Sequence, residues 1–224
     1  TTVEATVADD FRVRTIDVAG TTVSIFEVAD PTSDDGCDTD SPRSAMCGGV
    51  LWPGSRAAAE ALAEMSLAGS TVVEIGAGTG LCSLAAASMG AAEVIATDAS
   101  PGVLELIEAA AAAQDLGVVR TQVFDFLGDT AASPVRGVDV AVAADLLYTE
   151  EITRAVARTC AALKIGGAAV IVTDSQRRHR DAFLDELDRC LPRADREFEA
   201  TTVSDYTGWS YPDAGDVSVE AITV

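Results

Sequence analysis

The chain has 224 residues, 48% of them hydrophobic, which is enough for one domain with a substantial core and too apolar for a disordered segment. Its net charge is −21, with 15 lysines and arginines against 36 acids; such a field repels nucleic acid and attracts basic surfaces, although a salt-adapted composition explains it equally well. No apolar run approaches the length of a membrane span, and no basic stretch followed by an apolar one opens the chain, so neither membrane insertion nor secretion is expected.

Residues 1–10 are polar and read as a frayed end. Phe11 to Asp17 and Thr22 to Val28 alternate apolar and polar residues around Ala19-Gly20-Thr21, the pattern of a β-hairpin. Asp30 to Gly49 carries five aspartates, three serines, two prolines and three glycines, and reads as a solvated acidic loop or as a lid that orders on binding. These segments make 1–49 an N-terminal hairpin extension with an acidic loop, and 50–224 the main domain. Val50-Leu51-Trp52-Pro53-Gly54 then leads to Ser55, a candidate N-cap, and an alanine-rich helix to about Leu67. Trp52 is either a core anchor or a wall against a ligand.

The stretch from Thr71 to Gly80 organises the rest. Thr71 to Val73 with Ile75 is a β-branched run that reads as a buried strand, and it breaks into Gly76, Gly78 and Gly80 before an apolar helix over 79–89. Strand, glycine turn and helix open a nucleotide-type α/β sheet. The dinucleotide fingerprint G-x-G-x-x-G is not met, because its third glycine would fall at Leu81. Glu74 places a carboxylate beside the turn, which disfavours a pyrophosphate and suits a cation such as a sulfonium. A second apolar run, Ala92 to Thr97, ends in Asp98, an acid able to accept hydrogen bonds from two ribose hydroxyls. A ribose, a positive charge and no pyrophosphate together point to S-adenosylmethionine (SAM).

Beyond this point strands and helices alternate: helix 101–115 with Ser100 capping and Pro101 at its first position, strand 118–124, loop 125–136, strand 138–144, helix 150–163, strand 168–173 and helix 176–190. Phe198 to Val203 and Val217 to Val224 follow with no helix between them, so they form an antiparallel pair. The expected fold is a doubly wound α/β sheet, parallel and covered on both faces, with a C-terminal antiparallel hairpin. The five cysteines, Cys37, Cys47, Cys82, Cys160 and Cys190, are widely spaced without a C-x-x-C and read as packed, reduced thiols with no metal site. His179 is the single histidine and sits in a basic run, which disfavours a Ser-His-Asp or Cys-His hydrolase. That run, Arg177-Arg178-His179-Arg180, is a solvated helix face or a contact for an acidic substrate stretch. Trp209 and Tyr211 line an acceptor groove or simply pack.

Three features resemble the class I, seven-strand SAM-dependent methyltransferases, and within them methyltransferase family 16, the protein-lysine methyltransferases. They are Val73 to Leu81 with Asp98 following, Leu51-Trp52-Pro53 before the first helix, and Asp145-Leu146-Leu147-Tyr148 at the end of the fourth strand, which matches the family's D-x-x-Y motif. The resemblance spans residues 11–190 and implies a Rossmann-like sheet of seven strands, with SAM as cofactor and S-adenosylhomocysteine as product. By the same resemblance Gly76, Ala77 and Gly78 line the methionine and ribose portions of the cofactor, Asp98 holds the ribose hydroxyls, and Trp52 and Ala144 touch the cofactor. The family usually has a tryptophan after the third strand; here Asp125-Phe126 stands there, so Phe126 would supply an apolar face at the adenine and Asp125 would reach its amino group. Asp145 and Tyr148 are the expected catalytic pair, Asp145 orienting the amine by accepting a hydrogen bond and Tyr148 walling the channel with its ring; the other reading of the pair is Asp145 as a helix cap and Tyr148 as packing. The implied partner is a protein substrate, basic or chaperone-like, with no nucleic acid and no membrane: the tetrapeptide is Asp-Leu-Leu-Tyr and not the N-P-P-Y or D-P-P-Y of nucleic-acid enzymes. A cytoplasmic monomer is expected, with the nucleus as the other compartment. Two alternatives stay open: a methyltransferase for a small molecule or another protein side chain, and a catalytically silent SAM-binding interaction module.

Overall fold

The computed structural model describes residues 11–28, 47–128, 135–175, 179–193, 199–206 and 217–224. Residues 1–10, most of the acidic loop, Arg177, Arg178, Trp209 and Tyr211 lie outside the described residues.

The hairpin forms as read: β1 (Phe11–Val18) pairs antiparallel with β2 (Thr21–Val28) through a two-residue turn at Ala19 and Gly20, both at positive φ. A short 3-10 turn, Cys47–Gly49, precedes α1 (Pro53–Ala63), and β3 (Thr71–Ile75), α2 (Leu81–Ser88), β4 (Glu93–Asp98), α3 (Pro101–Ala113) and β5 (Val119–Val123) follow. The second half holds β6 (Val140–Ala144), α4 (Glu150–Ile165), β7 (Ala169–Asp174), α5 (Arg180–Cys190), β8 (Glu199–Tyr206) and β9 (Val217–Thr223). Seven strands join in the order β5-β4-β3-β6-β7-β9-β8. The first five are mutually parallel, and β9 is antiparallel to both β7 and β8. The expected doubly wound sheet with an antiparallel end is therefore the observed one.

Two helix starts differ from the reading. Trp52, not Ser55, is the N-cap of α1, because Pro53 fits the first helical position, where its missing N–H costs nothing. Ser100 is the N-cap of α3, but its hydroxyl caps nothing; its main-chain N–H instead donates to Asp98 Oδ1 at 2.9 Å.

Strand residues divide between two faces. Val72, Val94, Val140, Val142 and Ile171 pack with α1, α2 and the hairpin, while Val73, Ile75, Ala141, Ala143, Val170 and Val172 pack with α4 and α5. This period of two in strands buried on both sides is why they read as continuous apolar runs. The hairpin forms an outer layer on the first face through Ile16, Val18, Val23 and Ile25. The Gln114 side chain fastens it, accepting from Ser24 N and donating to Ser24 O, both at 2.8 Å, as a strand partner would. Glu27, wholly buried, accepts from Leu51 N at 2.9 Å and from Arg12 Nε at 3.1 Å, which ties the hairpin to the segment before α1. On the far face Glu186 joins Arg154, Arg158 and Arg189 and so zips α4 to α5. Arg180 pairs with Glu220 of β9, so that member of the basic run is part of the fold's own ion pairing. Cys82 and Cys160 are buried free thiols, and burial pushes Cys160 up to about 12.

Candidate active site

Parallel pairing brings the carboxyl ends of β4, β3, β6 and β7 to one edge, with Ile75 level with Thr97 and Ala143, and Ala144 level with Thr173. Between β3 and β6 the chain's direction of travel across the sheet reverses, the place where α/β sheets bind ligands.

The turn after β3 is held by main-chain geometry. Gly76, Gly78 and Gly80 all have positive φ, at 60°, 54° and 72°. A Cβ at Gly76 would stand 2.6 Å from Leu146 Cδ2, one at Gly78 3.1 Å from the Gly48 carbonyl, and one at Gly80 2.7 Å from Ile107 Cγ1. Glycine is thus demanded by backbone conformation and by close packing of three other segments. Ala77 N donates to Thr97 O at 2.8 Å, and Thr97 Oγ1 donates to Glu74 O at 2.8 Å, which couples the turn to β4.

Asp98 closes the other side. Its Oδ2 accepts from Gly78 N at 3.1 Å and its Oδ1 from Ser100 N, so one carboxylate spans both turns. Burial raises its pKa, against the pull of the main-chain N–H groups of Ser100, Gly78 and Ala99. After β5, Phe124 N donates to Asp98 O at 3.0 Å, and the Phe124 and Phe126 rings meet edge to face with centroids 6.5 Å apart. Asp125 is exposed, and its Oδ1 accepts from Leu127 N at 2.9 Å.

Glu74 is placed differently from the expectation. The sequence reading sets its carboxylate beside the turn to meet a cation; the side chain is 1% exposed and faces the first turn of α2, where Oε2 accepts from Ser83 N at 2.8 Å and Ser83 Oγ at 2.6 Å. It satisfies a helix N-terminus from below. Burial pushes its pKa up to about 7, against the opposing bonds from Ser83 and Cys82.

Asp145 behaves in the same way one strand over. It is 4% exposed and has φ 55°, a left-handed conformation that aspartate tolerates better than most residues. Its Oδ2 accepts from Gly54 N in the first turn of α1 at 2.5 Å, and its Oδ1 accepts from Ser175 N at 2.9 Å and Ser175 Oγ at 2.6 Å. The expectation that this carboxylate orients an amine thus meets a group already accepting three bonds from the protein. Leu146 lies over Gly76, Tyr148 is half-buried beside the core of α4, and Thr149 caps α4 by accepting from Ile152 N at 3.3 Å. Ala144 and Ala77 are buried, and Trp52 is half-buried at the head of α1. Sequence reading misses Gly48, Gly54, Ser83, Thr173 and Ser175; all but Ser83 act on a partner at least 30 positions away, and none stands in a motif of its own. No cluster of three or more metal-ligating side chains occurs among the described residues.

A profile of the lysine methyltransferase family matches residues 37–190. The chain belongs to that family. It is a SAM-dependent methyltransferase, and the chemistry of the site fits that cofactor: an acid at the end of β4 for hydroxyl groups, a turn with glycine at three of its five positions, and no lysine or arginine from 71 to 100 to hold a pyrophosphate. No curated protein matches the sequence. Solved structures share the fold at low identity. A 16S rRNA N2 G1207 methyltransferase of Thermus thermophilus, in complex with SAM and guanosine, aligns at TM-score 0.59 and 15% identity over 96% of this chain and 50% of its own. A candidate RNA methyltransferase of Pyrococcus horikoshii aligns at 0.57 and 15% over 82% and 88%. A ribosomal protein L11 methylase of Lactobacillus delbrueckii subsp. bulgaricus aligns at 0.51 and 21% over 75% and 77%. Among the described residues of this methyltransferase no helix is long and apolar enough to cross a membrane.

Proposed function

We propose that this methyltransferase transfers a methyl group to a lysine side chain of a protein. The observation that carries the reading is the D-x-x-Y turn, Asp145 to Tyr148, packed directly onto the glycine turn through Leu146 and Gly76. The family match and the net charge of −21 support it, since an acidic enzyme attracts a basic protein segment and repels a phosphate backbone. Bound at the glycine turn, SAM would supply a methyl group on a sulfonium, already activated for attack. The chain then has to position an amine whose reference pKa is about 10.4 and receive it deprotonated. Gly76, Ala77, Gly78, Trp52 and Ala144 form the cofactor's seat, Asp98 its hydroxyl acceptor, and Phe126 with Asp125 its adenine end. Tyr148 walls the acceptor channel, and Asp145 sets the course of the turn that carries it. Glu74 supports the seat from beneath α2.

The RNA methyltransferases among the structural neighbours share the fold alone and name no substrate for this chain. The test is labelled methyl transfer from SAM into a lysate of the source organism, with protease and nuclease digestion of the product and Asp145→Ala as control. Protease-sensitive label lost in the variant is expected; nuclease-sensitive or small-molecule label would move the acceptor to another class. SAM binding without transfer to any fraction would favour a silent interaction module.

A further inference from the structure

Asp145 is locked from three sides. Its main-chain N–H donates to Thr173 O at 2.9 Å, Gly54 N and Ser175 hold the two carboxylate oxygens, and Thr173 Oγ1 donates to Gly54 O at 2.8 Å. The bonds close a ring through the end of β6, the end of β7 and the first turn of α1. Gly54 has no positive φ to explain it; its absent Cβ would stand 2.6 Å from Asp145 Oδ2 and 3.1 Å from Thr173 Oγ1. Position 54 is glycine because the carboxylate occupies the place of its side chain. A left-handed φ at a residue other than glycine is unfavourable, and charge-assisted hydrogen bonds offset that. The direction in which the chain leaves β6 follows, and with it Leu146 on Gly76 and Tyr148 three residues on.

We propose that Ser175 is a positioning residue for methyl transfer, its hydroxyl locking Asp145 so that the D-x-x-Y turn presents Leu146 to the glycine turn and Tyr148 to the acceptor. Gly54 and Thr173 complete the lock. Ser175 acts through Asp145, to whose Oδ1 both its N–H and its hydroxyl donate. The inference rests on the methyltransferase reading of this edge and is indifferent to the acceptor being lysine.

The test compares Ser175→Ala, Ser175→Thr and Gly54→Ala with the wild type. Five quantities are read: SAM affinity by calorimetry, thermal unfolding, kcat and KM for labelled methyl transfer, and the amide proton resonance of Gly54. Ser175→Ala is expected to lower kcat about tenfold, the loss of roughly one hydrogen bond's worth of positioning, with SAM affinity within about twofold. Ser175→Thr restores the hydroxyl and most of kcat. Gly54→Ala reproduces the alanine effect by displacing the carboxylate; if it fails to fold, the Ser175 pair decides. The Gly54 amide, shifted downfield by its short bond to a carboxylate, moves in Ser175→Ala and returns in Ser175→Thr. Unchanged kcat, an equal loss of SAM affinity, failure of threonine to rescue, or an unmoved Gly54 resonance would each overturn the proposal. Should the wild type label RNA or a small molecule, the lysine reading fails and the same comparison is made on that acceptor. The resonance test stands whatever the acceptor.

Discussion

Two acids at neighbouring strand ends, Glu74 and Asp145, read in the sequence first as groups facing a ligand, Asp145 with a helix cap as its other reading, and both sit in the structure as anchors for helix N-termini. The reason is physical. An acid at the end of a buried strand must find donors, and the nearest are the unpaired N–H groups that every helix start leaves. Sequence places the residue at the edge but does not say which side of the sheet it turns to. Glu74 yields a pH prediction. Its folded pKa of about 7 lies above the ordinary 4.5, so its contribution to stability is present in full below about 4.5 and is lost as pH rises through about 7. The shift corresponds to about 3 kcal/mol. Glu74→Gln keeps an acceptor for Ser83 without the ionisation, so the variant should gain in Tm relative to wild type between pH 5 and pH 8; a pH-independent difference would contradict the assignment. Asp98→Ala removes a charged acceptor from the turn. A loss of about 1.5–3 kcal/mol, roughly 10- to 100-fold in SAM affinity, is expected by calorimetry, and full affinity would sink the ribose assignment.

Elements were more legible than side-chain roles. The glycine turn is legible from its spacing, and β3 before it from its β-branched run, because strands buried on both faces leave long apolar runs. What the sequence reading did not show is that the glycines answer to protein neighbours, Leu146, Gly48 and Ile107, as much as to a ligand. Gly80→Ala should therefore unfold the protein at a lower temperature even without cofactor, since both its φ and the space before Ile107 oppose a side chain. An unchanged Tm in the apo protein would refute this. The hairpin, lying ahead of the residues that match the family, is legible in the sequence as an element, but its attachment is not, because Gln114 and Ser24 stand 90 positions apart. Glu27→Ala strands the Leu51 N–H and two arginines, and a loss of roughly 1–3 kcal/mol, several degrees in Tm, is expected by thermal unfolding.

At the scale of the whole molecule the charge of −21 opposes compaction by self-repulsion, so added salt should raise Tm until screening is complete. The same field should make the capture of a basic acceptor weaken with ionic strength, while SAM binding changes little. Fold and cofactor class were legible together because alternating strands and helices fix the sheet, and a parallel sheet fixes the edge where a ligand binds. The acceptor was not legible, since the scaffold serves many acceptors and the residues that select one act through surface shape and charge. The deciding measurement is amino-acid analysis of protein labelled by the wild-type enzyme and methyl-labelled SAM. Label recovered as Nε-methylated lysine, and absent with Asp145→Ala, is the predicted result. Label recovered on another side chain, or none in protein while RNA or small molecules carry it, would contradict a protein-lysine methyltransferase.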